Sequence, residues 1–189
     1  VGPRACRGAG PKAGPARRTT ATYFVGHGSE SVRSEEPHQV VGIGSRSWVF
    51  VSRRAPGRGD ASAPWENVRQ ASFKSSDLSG ASPIGYVFAS PLVPILDPVT
   101  AYAAVSFPAG RGILEGAVDL MHRIRTDFKY DPKATVISTP LAEVLEKRHG
   151  VCQDFAHIMI SGMRGLGLPV AYVSGYLRTF PPEGKARLQ

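Results

Sequence analysis

The sequence predicts an α+β fold, and three observations carry the prediction. Apolar residues recur at three- and four-residue spacing over 111–128 and again over 152–164, the period of a helix with one buried face. Runs rich in β-branched and aromatic residues at 21–25, 38–43 and 46–51 read as strands punctuated by Gly and Ser. Three helices near the C-terminus are followed by one further strand-like run, 168–179, whose sheet partners must come from elsewhere because a lone strand is not stable.

Each element has its own justification. Residues 1–20 hold four Gly, three Pro, four Ala and five cations with a single large aliphatic, Val1, and cannot offset their ordering entropy; a disordered basic leader is expected. Residues 21–64 form a small β-rich region ending in the polar, Pro/Gly-rich stretch 52–64, where a boundary is placed. Over 65–104, Pro83, Pro91, Pro94 and Pro98 interrupt every candidate element, so this segment reads as an irregular connector of short turns and extended pieces. From 105 to 189 the signal sharpens. Ile113, Leu114, Ala117, Val118, Met121, Ile124 and Phe128 predict one amphipathic helix over 111–128. Thr139 as N-cap and Pro140 at the first helical position predict a second, with Leu141, Val144 and Leu145 inward and Gly150 ending it in a left-handed conformation. A third runs from Cys152 to Arg164 and stops at Gly165 or Gly167.

Composition narrows the function classes. A chain of 189 residues, 42% hydrophobic, buries one core and at most a small satellite. The net charge is 23 − 15 = +8, but Arg4, Arg7, Lys12, Arg17 and Arg18 supply +5 of it within the first twenty residues. A uniformly basic nucleic-acid surface is not indicated, and no aromatic residues interleave with those cations to stack on bases. The apolar runs are far shorter than the ~20 residues that span a bilayer, and the leader lacks the apolar stretch of a secretory signal. A soluble, cytoplasmic protein without membrane or nucleic-acid partners is expected. Two cysteines, Cys6 and Cys152, make neither a disulfide framework nor a metal knuckle, so no metal or other cofactor is expected.

Cys152 is the candidate for chemistry. It stands at the start of a helix, where unpaired amide N–H groups and the helix dipole favour an anion, with Lys147, Arg148 and His149 adding positive potential. The same amides suit a developing oxyanion. Placement alone leaves two readings open: a nucleophile for acyl transfer, and a small buried helix residue. A nucleophile needs a base. His157, five positions on, points ~140° away and sits ~7.5 Å further along the axis. His149 is better placed to cap the preceding helix, His122 lies near the apolar border of its helix and reads as partly exposed, reaching the thiol only if the tertiary fold brings it in, and His27 and His38 read as surface residues of the β-rich region. Asp154 is a first-turn acid or a hydrogen-bond partner of nearby backbone. No triad is apparent.

The stretch TPLAEVLEKRHGVCQDFAHIMISGMRGLGLPVAYVSGYLRT, 139–179, strongly resembles the bacterial transglutaminase-like superfamily, with its G-x-C-x-D-F/Y-A helix start and the later Pro-x-x-Tyr-Val-Ser-Gly-Tyr strand. The segment 106–132 is similar to the helix that precedes the cysteine in that family, and 21–51 with Trp65 to a partial form of its β-rich N-terminal region. The resemblance implies a papain-like core in which helices pack on an antiparallel sheet, with Cys152 as the nucleophile that forms a thioester with a protein or peptide substrate. Transamidation and hydrolysis both fit, as does a peptidase or amidase. The family's His and Asp follow on later strands, and Gln189 comes before them, so the chain reads as a fragment truncated before its base and inactive alone. An exposed edge at Val170–Leu177 would then leave residues 1–189 poorly soluble or partly molten. The contrasting reading is a non-catalytic binding or scaffold protein of the same fold. Oligomeric state is left open.

Overall fold

The computed structural model describes residues 17–22, 28–33, 62–136, 138–174 and 184. The chain divides into two compact units, residues 1–57 with 77–82, and residues 58–76 with 83–189.

In the first unit, β1 (Arg17–Thr22) pairs antiparallel with β2 (Gly28–Arg33), from Arg17 opposite Arg33 to Thr22 opposite Gly28. The expected disorder of the leader therefore does not extend to Arg17–Thr20. The Gly/Pro-rich composition stops at Pro15, and the β-branched Thr19, Thr20 and Thr22 favour an extended backbone that a partner strand can pair. The strands expected at 38–43 and 46–51 lie outside the described residues, as do Tyr23–Val25, Cys6, His27 and His38.

The second unit is mainly helical. The segment read as an irregular connector contains two regular helices, α1 (Trp65–Phe73) and α2 (Asp97–Ala104). Two prolines stand where a missing N–H costs nothing: Pro64 just before α1, and Pro98 in the first turn of α2. Pro83 opens a 3-10 turn over Pro83–Tyr86. Trp65 anchors α1. Its indole Nε1 donates to the Pro108 carbonyl at 3.1 Å, and its ring meets Phe107 edge-on at 6.3 Å.

The next helix, α3 (Ile113–Asp127), has no side-chain cap of its own at Gly112; Ser62 Oγ accepts the Leu114 amide from across the unit at 3.1 Å. Its buried stripe is Gly116, Leu120 and Ile124, continued by Phe128, with Ile113 and Ala117 at the border. Leu114, Val118 and Met121, expected inward, are about half exposed. Apolar residues occupy two adjoining stripes of this helix, and only one of them faces α5. That helix, α5 (Cys152–Gly165), and α4 (Leu141–Lys147) complete the layer around Val99, Leu120, Val144, Ile158 and Leu168, each 1% exposed or less. Burial of each such side chain is worth about 1.5–3 kcal/mol.

The contact between α2 and α5 depends on small residues. A Cβ on Gly162 would lie 2.5 Å from Ala103 Cβ and 3.0 Å from the Val99 carbonyl oxygen, and one on Gly165 would overlap Thr100. Ser161 Oγ donates to the Pro94 carbonyl at 2.6 Å beside this contact. At the far end of α5, Gly167 turns the chain with φ +78°.

Two expectations fail past that turn and before α5. Leu168–Ser174 is not a strand, and 175–179 lies outside the described residues. Val170 instead donates its amide to the Tyr86 carbonyl at 3.1 Å, while its carbonyl accepts from Arg164 Nη2 at 2.8 Å. Arg164 is 8% exposed and also reaches the Phe88 carbonyl at 2.9 Å, so a buried guanidinium takes the place of a neighbouring strand at Val170. Second, Arg148, not Gly150, takes the left-handed conformation that ends α4, with φ 53°. The paired strands described in this unit, β3 (Lys129–Tyr130) and β4 (His149–Gly150), run parallel; the antiparallel sheet expected beneath the helices is not among the described residues. No helix among the described residues is long and apolar enough to cross a membrane.

Candidate active site

Cys152 opens α5, directly after β4 and the N-cap residue Val151. Cys152 is a free cysteine and is exposed rather than buried. The helix start is the predicted one, and the structure adds what holds it in place. β4 is tied to β3 by Lys129 N–H donating to the Arg148 carbonyl at 2.8 Å and Asp131 N–H to the Gly150 carbonyl at 2.9 Å.

Asp154, 6% exposed, folds back over the first turn. Its Oδ2 accepts the Val151 amide at 2.8 Å and the Thr135 hydroxyl at 2.6 Å. Satisfying the N-cap amide from the third helical position is the backward half of a capping box, and it ends one of the orphan donors of the helix. The hydrogen-bonding role expected for Asp154 is thus observed. The carboxylate lies so close over Gly150 that a Cβ there would be 2.7 Å from Oδ2. Gly150 is needed for this close approach rather than for a positive φ.

The left-handed Arg148 is stabilised by its own side chain. Its guanidinium lies over the Tyr102 ring at 4.8 Å and over Phe128 at 4.7 Å, while Arg123 covers Tyr102 at 4.3 Å. The buried Nη1 of Arg148 has no hydrogen-bond acceptor among the described residues, and its guanidinium meets these ring faces. Tyr102 donates its hydroxyl to Asp127 at 2.8 Å; burial, then that hydrogen bond, push its pKa up to about 12.

None of the described histidines joins Cys152. His157 lies on the other side of α5, as its spacing predicts, half-buried against the Tyr172 ring at 5.6 Å. Burial lowers its pKa, and the Asp154 charge opposes that shift. With Asp154 it lines a cavity of about 310 Å³ between Pro91–Leu96 and Thr139–Leu141. His122 is exposed on α3, and His149 is exposed in β4, beyond the cap that Arg148 supplies. Among the described residues no three His, Cys, Asp or Glu converge to hold a metal ion. Sequence reasoning missed Asp131, Thr135 and Tyr102, and gave Arg148 a positive potential but not its ring contacts. A threonine in a loop and an aromatic on a separate helix carry no periodicity, and only an arginine in a left-handed cap would have hinted at a ring partner.

Residues 104–186 match the core model of the transglutaminase-like superfamily. Uncharacterized proteins of Mycobacterium tuberculosis and Mycobacterium bovis are 43% identical over 179 residues, covering 92% of this chain and 55% of their own length. The chain thus spans about half the length of these curated relatives. An uncharacterized Mycobacterium leprae protein is 42% identical over 53 residues, 28% of this chain and 19% of that one. Among solved structures, one described as a "putative cysteine protease" from Cytophaga hutchinsonii is similar at 25% identity and a TM-score of 0.42, covering 47% of this chain and 30% of that one.

Proposed function

Residues 104–186 belong to the transglutaminase-like superfamily, and from that premise we propose that the chain supplies the nucleophile of a cysteine-dependent acyl-transfer site, Cys152. The observation that carries the reading is the exposed thiol at the first residue of α5, on a helix start held by Asp154 and by β3. The thiolate attacks a carboxamide or peptide carbonyl of a protein or peptide substrate. The Sγ–C bond forms, the amine leaves carrying a proton, and a thioester remains. An amine or a water then resolves the thioester, giving transamidation or hydrolysis. The start of α5 suits the oxyanion of the tetrahedral intermediate, because the first amides of a helix have no intrahelical acceptor. The base that takes the thiol proton and the group that orients it come from outside the described residues, and without them turnover is slow. A non-catalytic binding role is the second reading, favoured by the lack of a histidine partner for Cys152 among the described residues.

The test is acylation by p-nitrophenyl acetate, with the adduct located by peptide mass spectrometry. The expected result is a nitrophenol burst with the acetyl group on Cys152, absent in Cys152→Ser. An added primary amine speeds the second phase if the acyl group goes to amines. Acetylation of Cys152 no faster than that of a free cysteine in a short peptide would refute a nucleophile and leave the binding role.

A further inference from the structure

Cys152 is bracketed by one short loop. After β3, Asp131 donates its amide to the carbonyl of Gly150, two residues before the cysteine. The chain then turns, with the Asp131 side chain accepting the Lys133 amide at 2.9 Å and the Asp131 carbonyl accepting the Ala134 amide at 3.3 Å. That turn delivers Thr135, whose hydroxyl donates to Asp154 Oδ2 at 2.6 Å, two residues after the cysteine. On its far side the loop is tied again, by the Val136 amide donating to Thr139 Oγ1 at 2.9 Å.

From this we infer that Thr135 is a positioning residue for Cys152, acting through Asp154; the inference rests on the acyl-transfer reading of that cysteine. Asp154 Oδ2 has two donors, and they do different things. The Val151 amide belongs to the helix start itself, whereas the Thr135 hydroxyl comes from a separate segment and fixes where the carboxylate, and with it the first turn of α5, stands relative to β3. The Asp131–Gly150 bond alone leaves the chain free to rotate beyond Gly150. With the Thr135 bond added, the residues on both sides of the thiol are held by the same loop. Displacements of the order of 1 Å at a reacting group can cost about a hundredfold in rate, so a clamp at this point acts on the chemical step. A charge-assisted hydrogen bond of this length is among the stronger ones available to a neutral side chain. No catalytic contact is assigned to Thr135, which touches Asp154 and not the reacting atoms.

The variants are Thr135→Val, which keeps the shape and removes the hydroxyl, and Thr135→Ser, which keeps the hydroxyl. Each is read for its saturating rate of Cys152 acylation by p-nitrophenyl acetate, its half-saturating ester concentration, and hydrogen exchange of amides 150–155. Thr135→Val is expected to lower the saturating rate by about tenfold or more with the half-saturating concentration unchanged, and to speed exchange at Val151. Thr135→Ser is expected to restore both. If the wild-type chain acylates and Thr135→Val matches it within twofold, the positioning role is overturned and the nucleophile stands. If wild-type Cys152 is not acylated at all, the acyl-transfer reading falls, and the positioning role falls with it.

Discussion

Substituting Gly162 by alanine tests the packing that holds the cysteine-bearing helix. At an open helix position Gly→Ala stabilises by about 1 kcal/mol, because glycine loses more backbone freedom. Here the new methyl meets two atoms that cannot turn aside. Ala103 Cβ, 2.5 Å away, has no rotamer to change, and the Val99 carbonyl oxygen, 3.0 Å away, is backbone. Carbon atoms sit comfortably at about 3.5–4.0 Å, so α2 and α5 must separate by roughly 1 Å. Separation loosens Val99 and Ala103, both fully buried. Overpacking of this kind costs about 1–3 kcal/mol, and the upper end applies because no side chain can absorb the clash. Against the propensity gain the net loss is about 2 kcal/mol. With a urea slope of about 2 kcal/mol/M, the unfolding midpoint falls by about 1 M. Fluorescence of Trp65 in a Trp48→Phe background reads the unit that contains α2 and α5. Adding Ala103→Gly should recover part of the loss by removing the atom struck. A Gly162→Ala midpoint equal to or above that of the parent protein would refute the close-contact argument.

Two further outcomes are expected. Arg148→Ala keeps the left-handed backbone but loses both ring contacts, and should lower stability by about 1–3 kcal/mol; Arg148→Gly relieves the backbone and should be about 1 kcal/mol more stable than the alanine variant, both measured by thermal melting. For His157, burial depresses the folded-state pKa below the unfolded value of about 6.5, so the unfolded chain binds the proton first and stability falls as pH drops through about 6.5. Melting temperatures of the wild type and His157→Gln across that range should diverge toward neutral pH, with the wild type losing more on acidification.

The helices near the cysteine were legible because each carries its own local signal. α5 begins at Cys152 and ends at Gly165 as its apolar period and glycines imply, and Asp154 serves the helix start as a first-turn acid should. α2 was missed because Pro98 was counted as an interruption, although a proline in the first turn of a helix is compatible with one; α1 contains no proline and was missed because Trp65, Val68 and Phe73 are its only large apolar residues. On α3 the period was right but the inward face was not. Leu114, Val118 and Met121 are as apolar as Leu120 and Ile124, and only the packing of α1, α5 and the Ser106–Phe107 segment on α3 decides which stripe is covered. The strand expected over 168–179 had the right alternation. Among its described residues, however, Val170 satisfies its backbone with Tyr86 and Arg164, and a ladder requires a neighbour that alternation cannot supply.

The sequence by itself determined the α+β class, the start of the helix that carries Cys152, and the cysteine as the residue to test. Those properties are set by neighbours within a few positions, through helical period, capping and the left- or right-handed limits of the backbone. The tertiary structure decided that the thiol is exposed, that Arg148 and not Gly150 takes the left-handed turn, and that Asp131 and Thr135 bracket the cysteine from a separate loop. Each of these depends on ring faces, hydroxyls and carbonyls brought together from distant parts of the chain. Such contacts leave no periodic trace, because they are fixed by where whole elements pack and not by the residues on either side.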